Sequence, residues 1–140
     1  MNEKILYRKD NEISENEISV SKRYSNKSFE LHTHDFFEIE IIISGFAEHT
    51  VNGNTYQIGK GDIYMLSPSD FHALKVIEPL EYINIMFTEN AVSYSLLYEL
   101  ISYKNTVTYR LDSNEYNKIL PLFTLLTEEA KKGKIDPVIG

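Results

Sequence analysis

At 140 residues, with 42% hydrophobic and 25% charged residues, the chain has the size and balance of one globular domain. It carries no cysteine, which excludes a disulfide framework and a thiolate metal site. The net charge is −7, and from Ser28 to Val92 ten acidic residues stand against only Lys60 and Lys75. Such a stretch repels nucleic acid, because it has no cations to replace those around the phosphates.

Residues 1–27 are polar and irregular, with two β-prone pieces, Lys4–Tyr7 and Ile18–Tyr24, that read as edge strands. They contain no apolar h-region and so do not read as a signal peptide, and no run in the chain has the length of a membrane span. The segment from His32 to Gly45, HTHDFFEIEIIISG, organises the rest of the chain. Read as one strand, it puts His32, His34, Phe36, Glu38, Glu40 and Ile42 on one face and Phe37, Ile39, Ile41 and Ile43 on the other. Neither face is cleanly polar. Both must be covered, as in a barrel or sandwich with polar groups inside. Two imidazoles and a carboxylate on one wall also suit a divalent metal.

Gly45 is expected to end that strand. Phe46–Val51 and Thr55–Ile58 flank Asn52-Gly53-Asn54, a strong hairpin signal because Asn and Gly tolerate positive φ. Gly59-Lys60-Gly61 makes another turn, Asp62–Leu66 a strand, and Ser67-Pro68-Ser69-Asp70 a further turn. Ala73–Ile77 is extended, Glu78-Pro79 is expected to break it, and Glu81–Phe87 is the last clear strand. On this strand Tyr82, Asn84 and Met86 alternate with Ile83, Ile85 and Phe87, and one of the two sets must line the interior; Tyr64 poses the same alternative. Glu40 either joins Glu38 in binding a cation or a sugar hydroxyl, or in acid–base chemistry, or reaches the rim. Short strands separated by regular turn signals predict an antiparallel barrel or sandwich.

Beyond Thr88 the pattern turns helical. Ser93–Ser102 predicts a short helix and Thr106–Leu111 an extended or irregular link. Asp112 and Glu115 have the spacing of a capping box, and Tyr116, Ile119, Leu120, Phe123, Leu126 and Ala130 form one apolar stripe on a helix reaching about Lys132. Pro121 is expected to kink that helix or mark its start, and Gly133 to end it.

The motif His32-x-His34-x3-Glu38-x6-Gly45, followed by Gly61, Asp62, Pro68 and His72, resembles the two motifs of the cupin superfamily. More narrowly, HTHDFFEIEIIISG, the Asn-Gly hairpin and GDIYMLSPSDFHAL resemble the N-terminal sensor domain of AraC-type transcription regulators. The resemblance implies a mainly β fold: a cupin-type double-stranded β-helix (jelly-roll) barrel over residues 28–90, preceded by an arm and edge strands at 1–27 and followed by two C-terminal helices within 91–140. It implies a cytoplasmic effector-sensing and dimerising unit whose DNA contacts belong to a helix-turn-helix domain beyond Gly140. The effector is expected to be a small molecule, such as a carbohydrate, held by His32, His34, Glu38, Glu40, Tyr64, His72, Tyr82 and Asn84. In cupin enzymes, positions matching His32, His34, Glu38 and His72 ligate a metal, here Zn, Ni, Mn or Fe. The rival reading is accordingly a metal-dependent dioxygenase or isomerase. The stripe Tyr116, Ile119, Leu120, Phe123 and Leu126 is expected to be a homodimer seam, with packing on its own barrel as the alternative.

Overall fold

The computed structural model describes residues 4–6, 18–91, 93, 95 and 108–132. In chain order the described elements are β1 (Lys4–Leu6), β2 (Ile18–Ser25), β3 (Phe29–His34), β4 (Phe37–Val51), β5 (Asn54–Gly59), β6 (Asp62–Leu66), β7 (Phe71–Phe87), a 3-10 turn at Glu89–Ala91, β8 (Thr108–Arg110) and helix α1 (Ser113–Lys131). The architecture is mainly β, and all pairings are antiparallel except that of β1 with β3.

Two long strands, β4 and β7, run side by side and bend together, so each serves two walls. In the first wall the N-terminal half of β4 pairs with β6 on one side and with Tyr82–Phe87 of β7 on the other; β8 and β2 extend this wall outward. In the second wall the C-terminal half of β4 pairs with β5 and with the start of β7; β3 and then β1 come next. The bend falls where the β4–β7 register slips between Ile42 and Ala47. Gly45 therefore does not end the strand. It occupies the corner with φ +95, and a Cβ there would lie 2.1 Å from the Pro79 carbonyl oxygen. Pro79 does not break β7 either, since it sits opposite the slip, where no ladder bond asks for its missing N–H.

The hairpin at Asn52-Gly53 forms as the sequence predicts, with φ 49 and 89 at its two central residues, the signs a type I′ turn requires. Asp62, buried beside the Gly59–Gly61 turn, accepts the Gly59 amide at 2.7 Å and both the Nε and Nη2 of Arg110 at 2.8 Å. This fork ties β8 to the barrel and starts α1 in place.

Helix α1 opens on a reciprocal capping box: the Glu115 amide donates to Asp112 and the Asp112 amide donates to Glu115. Pro121 lies inside the helix, nine positions into Ser113–Lys131, and so does not mark its start. The helix lies on the outer face of the first wall. Tyr116, Ile119, Leu120, Phe123 and Ala130 pack on Val20, Ile41 and Ile83. The stripe expected to form a dimer seam is thus turned inward for four of its five residues, because the outer face of the wall would otherwise leave Ile41 and Ile83 in water. Only Leu126, at 39% exposure, stays outside, beside Leu122 and Leu125 at 61% and 58%.

The helix expected at Ser93–Ser102 falls, except for Ser93 and Ser95, outside the described residues, as does Gly133. Among the described residues one α-helix follows the barrel instead of the two expected. None of the described helices is long and apolar enough to cross a membrane.

Candidate functional site

The HTHDFFEIEIIISG stretch is not one strand. The chain bends at Asp35-Phe36, and the His34 Nδ1–H donates to the Phe36 carbonyl at 2.7 Å across the bend. β3 goes to the second wall and β4 to the first. His32 and His34 therefore face Glu38 and Glu40 across a gap, where simple alternation placed all four on one wall.

Between the walls lies a cavity of ≈ 480 Å³, within the range of small-molecule sites. β3 contributes Phe29, Glu30, Leu31, His32 and His34; the start of β7 adds His72 and Leu74. From the first wall come Arg23, Glu38, Glu40, Tyr64, Leu80, Tyr82 and Met86. The even-numbered set on the last part of β7 is thus the interior one. Asn84 is fully buried beneath it and is reached through the carboxylates.

The two carboxylates form a hydrogen-bonded floor. Asn84 Nδ2 donates to Glu38 Oε2 at 2.9 Å and to Glu40 Oε2 at 2.6 Å, while the Tyr64 hydroxyl donates to Glu40 Oε1. Burial, aided by the charge of Glu38, pushes the Glu40 carboxyl up to about 8, although the bonds from Tyr64 and Asn84 work the other way. Burial also raises Glu38, against the pull of Asn84. The Tyr64 phenol is held well above its usual value by burial and by Glu40, and Tyr82 is pushed up to about 12 mainly by burial. Glu40 therefore holds its proton more tightly than an exposed carboxyl, and the charge of Arg23 on the cavity wall works against that for both carboxyls.

Opposite the floor stand the imidazoles. Burial lowers His34, and burial with neighbouring imidazoles lowers His72, so both rings are neutral at pH 7. One ligand atom from each of His34, Glu38 and His72 lies within 4.8 Å of the others. His34 Nε2 and His72 Nε2 are buried with no hydrogen-bond partner, and Glu38 Oε1 is 3.9 Å from His34 Nε2. Neutral nitrogens and a carboxylate converging in this way fit Zn, Ni, Mn or Fe. His32 is outside this trio: its Nδ1–H goes to the Glu30 carbonyl at 3.0 Å, and its ring lies 4.4 Å from that of His72, with Phe29 packed against both.

His49 is the residue that sequence reasoning missed. It is fully buried on β4, and its Nε2 is 2.8 Å from His72 Nδ1. The alternation Ala47, His49, Val51, all buried, was the available signal: an inward-facing strand position holding a polar ring. The turn before His72 is built on Asp70, which accepts the Ser67 amide at 2.8 Å and the Asn52 side chain at 2.9 Å.

A two-walled β fold with a mixed polar and apolar cavity between the walls has the form of a small-molecule-binding domain. The family model for the AraC-like ligand binding domain matches residues 16–135, and the chain belongs to that family. It is similar to the HTH-type transcriptional activator RhaR of Yersinia pseudotuberculosis, 29% identical over 120 residues, which is 82% of this chain and 41% of that protein. RhaR of Enterobacter sp. is 24% identical, again over 82% of this chain and 43% of that protein. The chain thus spans less than half the length of these relatives. Among solved structures it is similar to a cupin protein from Bacteroides fragilis, 19% identical with TM-score 0.45 over 54% of this chain and 68% of that one. An RmlC-like cupin from Shewanella frigidimarina is 18% identical with TM-score 0.48 over 55% of this chain and 73% of that one.

Proposed function

We propose that this chain is the effector-sensing and dimerising part of a cytoplasmic AraC-family transcription regulator, and that the full protein reads DNA through a separate helix-turn-helix domain. The reading rests on the family match and on one observation above all: a preformed cavity whose floor and roof are polar side chains already fixed by one another. A small polar molecule with one apolar side, such as a carbohydrate, suits that lining. Its hydroxyls can donate to Glu38 and accept from Tyr82, while Leu74, Leu80 and Met86 supply an apolar wall. Binding would bias one arrangement of arm, barrel and helix over another, and the DNA-binding domains would report the shift.

We further propose that His34, Glu38 and His72 can hold a divalent ion; the orphaned Nε2 atoms of the two histidines support this. When bound, such an ion would supply a Lewis-acid anchor for a ligand oxygen. The same set would serve a metal-dependent enzyme. The regulator is preferred because the matched relatives are named as transcriptional activators.

A thermal-shift screen of sugars, sugar acids and divalent metals tests the reading. A ligand at a hundred times its dissociation constant adds ~2.7 kcal/mol of stability. A panel that leaves the melting temperature unchanged throughout would count against it.

Dimerisation is proposed to use the outer face of α1, where Leu122, Leu125 and Leu126 lie uncovered. Light scattering on the purified chain should give twice the monomer mass. Leu125→Glu should return it to the monomer while changing the monomer's own stability by no more than about 0.5 kcal/mol, as for an exposed site. An unsubstituted chain that stays monomeric at high concentration would remove the claim.

A further inference from the structure

The hydrogens on the four imidazoles can be placed by asking what each ring nitrogen faces. The Nδ1 atoms of His32 and His34 each face a backbone carbonyl, from Glu30 and Phe36. A carbonyl oxygen can only accept, so both rings carry hydrogen on Nδ1 and present a bare Nε2. His72 has no carbonyl at its Nδ1. It has His49 Nε2 instead, at 2.8 Å.

Either ring can donate across that contact. If His49 donates, His72 Nε2 carries a hydrogen that points toward His34 and Glu38 and repels a cation. If His72 donates, its Nε2 is bare, like that of His34, and His49 keeps its hydrogen on Nδ1, a buried atom with no hydrogen-bond partner. Each arrangement leaves two buried ring nitrogens without a partner, so hydrogen-bond count alone does not choose. A ligand on His72 Nε2 does choose, because only a bare nitrogen can bind a metal.

We propose that His49 is a positioning residue: by accepting the Nδ1–H of His72 it fixes that ring in the tautomer and orientation that lets His34, Glu38 and His72 bind a divalent transition-metal ion. This rests on the metal reading given above. His49 suits the task because it is wholly buried and held in the β4 ladder between Ala47 and Val51. Carbonyls do for His32 and His34 what an imidazole does for His72. Outer partners of this kind are worth about 10- to 100-fold in metal affinity.

Titration with Co(II), followed by its visible absorption, compares the unsubstituted chain with His49→Leu and His49→Gln. The Leu variant is expected to bind about 10- to 100-fold more weakly. Gln, whose amide oxygen can stand near the place of Nε2 and accept, should recover most of that loss. Proton–nitrogen correlation spectra of the Zn-loaded, unsubstituted chain should show hydrogen on His72 Nδ1, a readout that holds whether or not the Leu variant folds. Equal affinity in the Leu variant or a Gln variant as weak as Leu would each overturn the role of His49 while leaving the metal reading standing, whereas hydrogen on His72 Nε2 in the Zn-loaded chain would take His72 out of the ligand set and overturn both. No Co(II) or Zn binding by the unsubstituted chain would overturn both.

Discussion

Above pH 8 the Glu40→Gln variant is expected to be more stable than the unsubstituted domain, and below pH 4.5 the two are expected to have the same stability. Glu40 has its carboxyl pushed up to about 8 in the folded state, from 4.5 ordinarily, because the site is buried and Glu38 lies beside it. Between those values the folded chain keeps a proton that the unfolded chain has given up. Stability linked to this group is therefore complete below pH 4.5 and lost as pH rises through about 8. At about 1.4 kcal/mol per unit, the loss is on the order of a few kcal/mol, shared with Glu38 because the two carboxyls titrate together. Glutamine never ionises. Its carbonyl can accept from Asn84 and its amide nitrogen can donate to the Tyr64 oxygen, so the floor keeps its bonds.

The acid side should be common to both proteins. Burial holds His49 down at about 4 and lowers His34 and His72 as well. These rings stay neutral in the fold while the unfolded chain protonates them, so their contribution is present above the ordinary value of 6.5 and lost as pH falls. Urea unfolding across this range would show a peaked profile for the unsubstituted domain and a shallower alkaline side for the variant, in which Glu38 alone still titrates upward. Parallel profiles would mean that Glu40 is not the buried proton holder.

Gly45→Ala is expected to cost more than about 3 kcal/mol, a large share of the roughly 5–15 kcal/mol that stabilises an ordinary domain. Two causes add. The backbone at φ +95 is costly for any L side chain, and the new Cβ would meet the Pro79 carbonyl oxygen at 2.1 Å and the Leu80 Cα at 2.8 Å, both main-chain atoms that cannot turn away. Gly53→Ala separates the causes: φ is +89 there, but nothing lies within 4 Å of the added carbon. It should cost about 1–2 kcal/mol, the conformational share alone. Equal losses at the two positions, measured by denaturant midpoint, would show that the corner between the walls is not tightly closed.

Local chemistry was readable where one or two residues decide it. Asn52-Gly53 made its hairpin because both positions accept positive φ, and Asp112 with Glu115 capped α1 because the two side chains satisfy each other's amides. What the sequence hid were long-range matters. Pro79 and Gly45 look like strand ends, yet they face each other at the one place where both long strands bend and slip register, so each is tolerated by the other. Alternation put His34 and Glu38 on one wall. The bend at Asp35-Phe36 puts them on two walls that face each other, so the site residues meet across the gap rather than side by side. The helix stripe turned inward because the first wall is apolar on its outer face as well. Period alone cannot say which of two apolar surfaces a stripe will cover. His49 escaped notice because its partner, His72, is 23 residues away and meets it only through strand pairing.

The central claim is that the space between the two walls is where this domain perceives a small molecule. The measurement closest to it is chemical-shift mapping on the isotope-labelled chain, using whichever compound most raises the melting temperature. The account predicts that the ring nitrogens of His34 and His72 and the side-chain amide of Asn84 respond first. Shifts gathered on the outer face of α1, around Leu122 and Leu125, with the imidazoles and Asn84 unmoved, would contradict it.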